Sequence, residues 1–346
     1  MAEPATNIPK GSWVLVTGAN GFVASHVAQQ FLQRGYKVRG TIRDLEKSSW
    51  LTQDVFKSYT DTGDFELVVV PDLAVPGAFD SAIKGVSIIV HAASVVTFSP
   101  DANEVIPQTV SGATSILYAA LKEPSVRAFV YTGSIAAAVL YGPAGGSVHV
   151  ERDTWNEAAV KIAWAPPPYE SSRSMHVYQA SKTEAEKAVF KFLAEKNPHF
   201  SVNSVDPSSI MGEALNKKHL ETPYSYLKVL NDGHVGFLAG VPSIIHIDVK
   251  DVALLHVAAA LDPEVNDARL QAWADNCNWN DVLAIVRRLY PQRKFTDDQP
   301  VHPPLGFTTD LSQPLALLKK WGNQDGWKSL EETVADNMKN IVEWYP

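Results

Sequence analysis

Short apolar runs alternate with amphipathic stretches through the first half of the chain. WVLVT at 13–17 is rich in β-branched residues and reads as a strand. GFVASHVAQQFLQR follows with apolar residues at helical spacing and stops at Gly35, a helix-terminating glycine. YKVRGTI is a second strand, 44–57 a polar helix, FELVVV a third strand and VSIIVHA a fourth. Residues 102–122 read as a helix and VRAFVYT as a fifth strand. FSVNSV (200–205) is a sixth, after a helix that begins near Tyr178. Strand–helix alternation of this kind implies right-handed crossovers, hence an α/β fold with a doubly wound parallel sheet.

The pattern changes at 141–176, where YGPAGG, three prolines at 166–168 and ESSRS predict a long excursion out of the sheet. After Pro207 the alternation becomes irregular and proline-rich. The expected organisation is a nucleotide-binding part at 10–207, with 243–290 returning to the sheet. Residues 208–242 and 291–346 then form a smaller, mainly helical substrate lobe.

Composition narrows the function classes. The 346 residues are 45% apolar and 20% charged, enough for an ordinary core. A net charge of −8 argues against general nucleic-acid binding and against docking on anionic membranes. One cysteine, Cys277, rules out an intrachain disulfide and fits a reducing compartment. Residues 1–11 lack an apolar signal core, and no apolar run is long enough to span a bilayer. A soluble cytoplasmic protein is the expectation. The histidines show no His-x-x-x-His or His-Glu-x-x-His pairing, so no metal site is expected.

VTGANGFVASHV joins the first strand to the first helix. Gly18 suits the tight turn, Gly21 lets backbone approach a pyrophosphate, and Ala24 permits close helix–strand packing. Thr17, Asn20, Phe22 and Val23 complete the loop. A glycine loop at the first strand–helix junction predicts a dinucleotide-binding, Rossmann-type sheet. Where an NAD-preferring chain offers an acid at the end of the second strand, this one has Arg43, with Arg39 before it and Lys47 after. That cluster suits a 2′-phosphate, so NADP(H) is the expected cofactor. Arg39, inside the strand, is the one most open to a purely structural role. Asp72, beside Leu73, reads equally well as an acceptor for the adenine amino group or as a turn residue. Ala92, Ala93 and Ser94 after the fourth strand, Thr132 after the fifth, and Pro207 and Ser209 after the sixth complete the cofactor set.

Ser134 follows the fifth strand in YTGS, at the carboxyl end where open α/β sheets bind ligands. YQASK places Tyr178 and Lys182 on one helical face. The same Tyr-x-x-x-Lys spacing occurs at Tyr118, Tyr224 and Tyr290. Of the four pairs, only Tyr178 falls between strands five and six, and Pro291 breaks the register after Tyr290.

Together TGANGFVASH, VRGTIRD, HAAS, YTGS, YQASK, the Pro207 segment and HIDVKDVALLH resemble the extended short-chain dehydrogenase/reductase family over essentially the whole chain. Within it the chain is most similar to fungal aldehyde/carbonyl reductases, near the dihydroflavonol and cinnamoyl-CoA reductases. VERDTWN matches their acidic-x-x-Trp-Asn signature. The resemblance implies that Ser134 hydrogen-bonds a substrate carbonyl, Tyr178 donates the proton, and Lys182 holds the nicotinamide ribose and biases the tyrosine. Arg43 and Lys47 would hold the 2′-phosphate, and Pro207 would line the nicotinamide. Two positions depart: Gly133 stands where relatives often have serine, and Thr109 where many have the asparagine of a proton relay.

Magnitudes permit this chemistry. A free tyrosine near pKa 10 needs a shift of about three units, roughly 4 kcal/mol, to work at neutral pH. An ammonium about 4 Å away supplies roughly that at an effective dielectric near 20. The candidate substrate wall is Val95, Val96, Phe98, Trp164, Tyr169, Met175, Met211, Tyr224 and Phe237, which suggests an apolar or aromatic ketone or aldehyde. Two alternatives stand beside carbonyl reduction. One is a nucleotide-sugar epimerase or dehydratase of the same superfamily. The other is a non-catalytic, NADP-binding redox sensor, which the retained serine, tyrosine and lysine disfavour. Helices 102–122 and 177–196 leave monomer and homodimer both open.

Overall fold

The computed structural model describes residues 4–95, 97–140, 146–222, 225–233, 235–241 and 243–346. β1 (Trp13–Val16) leads through the glycine loop into α1 (Phe22–Gln33). β2 (Lys37–Ile42), short helices α2 (Leu45–Ser48) and α3 (Lys57–Asp61), and β3 (Phe65–Val69) follow. Next come β4 (Val86–His91), α4 (Ala102–Ala120) and β5 (Ala128–Thr132). β6 (Ser147–Val150), α5 (Glu157–Ala163), α6 (Ser174–Lys196) and β7 (Ser201–Pro207) carry the chain back to the sheet. The next elements are β8 (Ser209–Met211), α7 (Tyr226–Asp232), β9 (Ser243–Asp248), α8 (Val249–Leu261) and β10 (Arg269–Ala272). The last are β11 (Asn276–Asn278), α9 (Trp279–Leu289), β12 (Gly306–Thr309), α10 (Ser312–Gly322) and α11 (Leu330–Trp344).

Seven strands form one sheet in the order β3-β2-β1-β4-β5-β7-β10, with every adjacent pair parallel. Alternate side chains go to opposite faces. Val14, Val16, Ile88, Val90 and Val130 join the core under α1, α8 and α10, while Leu15, Ile89, Phe129 and Tyr131 join the core under α4 and α6. Covering both faces explains why these strands read as unbroken apolar runs. The direction of winding reverses between β1 and β4, so a crevice opens at their carboxyl ends.

The apolar faces of α4 and α6 are used internally: Ile116, Leu117 and Ala120 of α4 pack in one cluster with Val189 and Phe192 of α6. A smaller core gathers Met211, Leu227, Ile244, Trp279, Val282, Val334 and Met338 around a second sheet, β8-β9-β11. α9 and α11 in this region both start with reciprocal capping boxes, Asn278 with Asp281 and Ser329 with Glu332. Within 243–290, α8 and β10 belong to the large core and α9 to the small one, while β9 joins both, Ile247 in the large core and Ile244 in the small. Among the described residues no helix is long and apolar enough to cross a membrane.

Two local expectations change. The polar helix at 44–57 is broken: Asp44 caps α2, a wider turn spans Leu51–Val55, and α3 follows. The Phe56 N–H donates to the Leu51 carbonyl at 2.8 Å, which brings two buried side chains five residues apart onto one side. The excursion at 141–176 also contains regular structure. β6 pairs with the distant β12, and Asn156 caps α5 through the Ala159 N–H at 3.0 Å. The β12 partner lies too far along the chain for local pattern to reveal it.

Candidate active site

The glycine loop forms one side of a cavity of about 630 Å³ at the sheet's crevice. Gly18 has φ +64°, and a Cβ there would stand 3.2 Å from the Ala93 Cβ. Glycine is therefore required both by conformation and by close approach. Gly21 is the N-cap of α1 and offers no side-chain cap, and the first turn carries no acid. The unpaired N–H groups and positive end of the helix macrodipole thus face the cavity, which Gly18, Asn20, Gly21, Phe22, Val23 and Ala24 all line. Thr17 ties β1 to β4: its hydroxyl accepts from the Ala93 N–H at 3.0 Å and bonds His91 Nδ1 at 3.0 Å. The buried Ser94 hydroxyl has no partner among the described residues. An anion-ready helix end, a glycine cradle and an orphaned hydroxyl are what the pyrophosphate and sugar of a dinucleotide need.

Ser134, Tyr178, Thr132, Ala92, Ser209, Phe98, Met175 and Met211 line the same cavity. Ser134 caps a short turn by accepting from the Ala136 N–H at 3.2 Å, which leaves its O–H as a donor. Tyr178 is half-buried on α6, with Phe98 stacked on its ring at 5.4 Å and 26°. Lys182, one helical turn on, is buried. Burial lowers its ammonium to a pKa of about 8, against the opposing pull of Glu186 and Asp206. It stays charged at neutral pH, one turn from Tyr178 on the same helix.

Behind this face lies a buried charge cluster that sequence reading missed. Arg269 Nε lies 2.6 Å from Glu186 and 3.4 Å from Asp206, all essentially inaccessible to solvent. Burial, then the charge of Glu186, pushes the Asp206 carboxyl well above the usual carboxylate range. Asp206 Oδ1 and Glu186 Oε2 both turn toward Gly133, where a Cβ would stand 1.9 Å and 2.8 Å from them. The serine that relatives often carry there does not fit this packing. Gly133→Ala is expected to lower unfolding free energy by about 1–3 kcal/mol, read from the urea midpoint. An unchanged midpoint would contradict the contact.

Other expected residues are placed as follows. Arg43 and Lys47 are exposed beyond β2, with Lys47 3.6 Å from Asp44. Arg39 is structural: it pairs with Glu66 at 2.5 Å, donates to Ala82 and Lys84 carbonyls, and stacks over Trp13. Asp72 accepts from the Ala74 N–H at 2.9 Å as a turn residue, and the Leu73 carbonyl accepts from Ser115. Pro207 ends β7, immediately before the cavity-lining Ser208. The Val95 carbonyl lies 3.5 Å from Thr109 Oγ1, a hydroxyl that also donates to Val105 within its own helix at 2.8 Å. Trp164 and Tyr169 are corrections: both are exposed and neither lines the cavity. α5 turns Ala159 and Ala163 inward, leaving Trp164 at its C-terminal end outside, and Tyr169 is held by Arg173 and Asn103. Val96, Tyr224 and the side chain of Phe237 lie outside the described residues. Among the other tyrosine–lysine pairs, Tyr118 is 49% exposed and Tyr290 lies beyond the end of α9. Ile210, Leu220, Tyr226 and Val241 also line the cavity.

Aldehyde reductase 2 of Sporidiobolus salmonicolor is 38% identical over 95% of this chain and 96% of its own. A protein of Aspergillus terreus named NAD-dependent epimerase/dehydratase terH is 37% identical over 96% of this chain and 98% of its own. Among solved structures, yeast methylglyoxal/isovaleraldehyde reductase Gre2 complexed with NADPH superposes with a TM-score of 0.77. That match has 28% identity and covers 96% of this chain and 98% of that one. Residues 15–272 match the 3-beta hydroxysteroid dehydrogenase/isomerase family, a span that holds the glycine loop, Ser134, Tyr178 and Lys182. With that match, and with the extended short-chain reductase motifs in one cavity, the chain belongs to the 3-beta hydroxysteroid dehydrogenase/isomerase family.

Proposed function

We propose that this protein reduces ketones and aldehydes to alcohols with NADPH. The observation that carries the reading is one cavity lined by the glycine loop, Ser134 and the Phe98-stacked Tyr178. Carbonyl reductases among its relatives support it, as does the NADPH complex among the solved ones. When bound, the reduced nicotinamide supplies a hydride to the carbonyl carbon. Ser134 donates a hydrogen bond to the carbonyl oxygen and stabilises the charge that develops there. Tyr178 gives its phenolic proton to that oxygen. The Lys182 ammonium stabilises the tyrosinate left behind. The helix end at Gly21 holds the pyrophosphate, and Arg43 and Lys47 hold the 2′-phosphate. Among the described residues, 208–211, 218–220, Tyr226, Val241 and Asn337 supply more of the cavity wall around the substrate. Phe98, Met175, Ile210, Met211, Leu220 and Tyr226 give it an apolar wall suited to an aryl or alkyl carbonyl.

The cofactor reading is tested by nucleotide oxidation with a panel of activated aryl ketones and aldehydes. NADPH is expected to be oxidised at least tenfold more efficiently than NADH, and Arg43→Ala to remove most of that preference. Equal rates with both nucleotides would keep the reductase and sink the phosphate clamp.

A further inference from the structure

The segment Lys217–His219, a single turn of 3-10 helix far from the glycine loop in sequence, is seated directly on it in the fold. His219 Nε2 bonds the Asn20 carbonyl at 3.2 Å. Its ring packs against Phe22 at 5.7 Å and Trp50 at 5.4 Å. Burial lowers its pKa to about 4, so it is neutral at physiological pH and Nε2 donates to Asn20. With its neighbour pinned this way, Lys218 reaches over α2 and donates from Nζ to the Lys47 carbonyl at 2.7 Å. The Lys218 amide is held in turn by Asn216 Oδ1 at 3.0 Å.

This geometry seats a third cation on the Lys47 backbone, four residues from Arg43 in sequence. The local charges are Arg43, Lys47, Lys217 and Lys218 against Asp44 and Glu46, a positive excess in a chain whose net charge is −8. Among the described residues, Lys218 is the only lysine or arginine that lines the cavity. A positive set at the end of β2 that outnumbers its acids is suited to a dianion, and a flexible ammonium can swing from a carbonyl to a phosphate oxygen within its own reach.

We infer that Lys218 is a cofactor-specificity residue, completing with Arg43 and Lys47 the site for the 2′-phosphate of the nucleotide. The inference rests on the NADPH reading above and deepens it. It means that selection of the phosphorylated nucleotide is shared between the β2–α2 turn and a segment after β8. Phosphate binding then fastens that segment to the glycine loop.

The test is direct binding, measured by titration calorimetry of NADPH and NADH into the wild-type protein and Lys218→Gln. Lys218 is exposed and glutamine keeps an amide donor for the Lys47 carbonyl, so folding is not at issue. The NADPH dissociation constant is expected to rise about tenfold, while that of NADH changes less than twofold. Unchanged NADPH affinity overturns the inference and leaves the cofactor reading intact. Equal weakening for both nucleotides also overturns it, because the contact would then be to a group they share. A wild-type protein that binds neither nucleotide overturns the cofactor reading itself.

Discussion

Tyr178→Phe is expected to lower turnover of a carbonyl substrate by roughly a thousandfold, within the range for losing a general acid. The change deletes one oxygen and keeps the ring, so the 5.4 Å stack on Phe98 and the packing of α6 survive. NADPH affinity should stay within a few-fold, because the glycine loop and Arg43 are untouched. Far-ultraviolet circular dichroism and a calorimetric NADPH titration separate loss of chemistry from loss of fold. Near-normal rates in the folded variant would contradict the assignment of the proton donor.

The second large effect concerns Lys182, where activity and stability pull in opposite directions. Burial lowers its folded pKa from 10.5 to about 8. That shift corresponds to a destabilisation of about 3 kcal/mol at neutral pH. Below pH 8 both folded and unfolded chains hold the proton, and the penalty is full. Between 8 and 10.5 the unfolded chain binds more protons, so stability rises with pH and the penalty fades. Lys182→Met fills similar volume without the charge. It should raise the unfolding free energy at pH 7 by about 1–3 kcal/mol, with the gain vanishing toward pH 10.5. Turnover should fall at least a hundredfold, because the field that stabilises a Tyr178 anion is gone. In the wild-type protein, reduction should decline as pH rises through about 8, where Lys182 loses its charge. A variant both less active and less stable would show that Glu186 and Asp206 more than offset the burial of the ammonium.

What the sequence disclosed and what it hid follow from the range of the interactions. The glycine loop and the Tyr178–Lys182 pair are encoded within a turn or two of helix, and β-branched runs mark the strands that carry them. Ser134 could be placed because a parallel strand puts its carboxyl end at the crevice. Contacts between distant segments were hidden. Glu186, Asp206 and Arg269 come from α6, β7 and β10, and no local signal marks three buried charges as one cluster. Lys218 and His219 belong to no motif, and only the fold brings them to Lys47 and Asn20. Trp164 and Tyr169 erred in the other direction: aromatic character suggested a pocket wall, but helix direction and an arginine partner turned them outward. The departure at Gly133 has a reason, since the carboxylates behind it leave no room for a side chain.

The most direct test of the central claim is to follow NADPH absorbance while quantifying alcohol by chromatography, using wild-type protein and one activated aryl ketone. Carbonyl reduction predicts one alcohol formed for each NADPH consumed. NADPH that binds but is not consumed with any ketone or aldehyde would contradict the account.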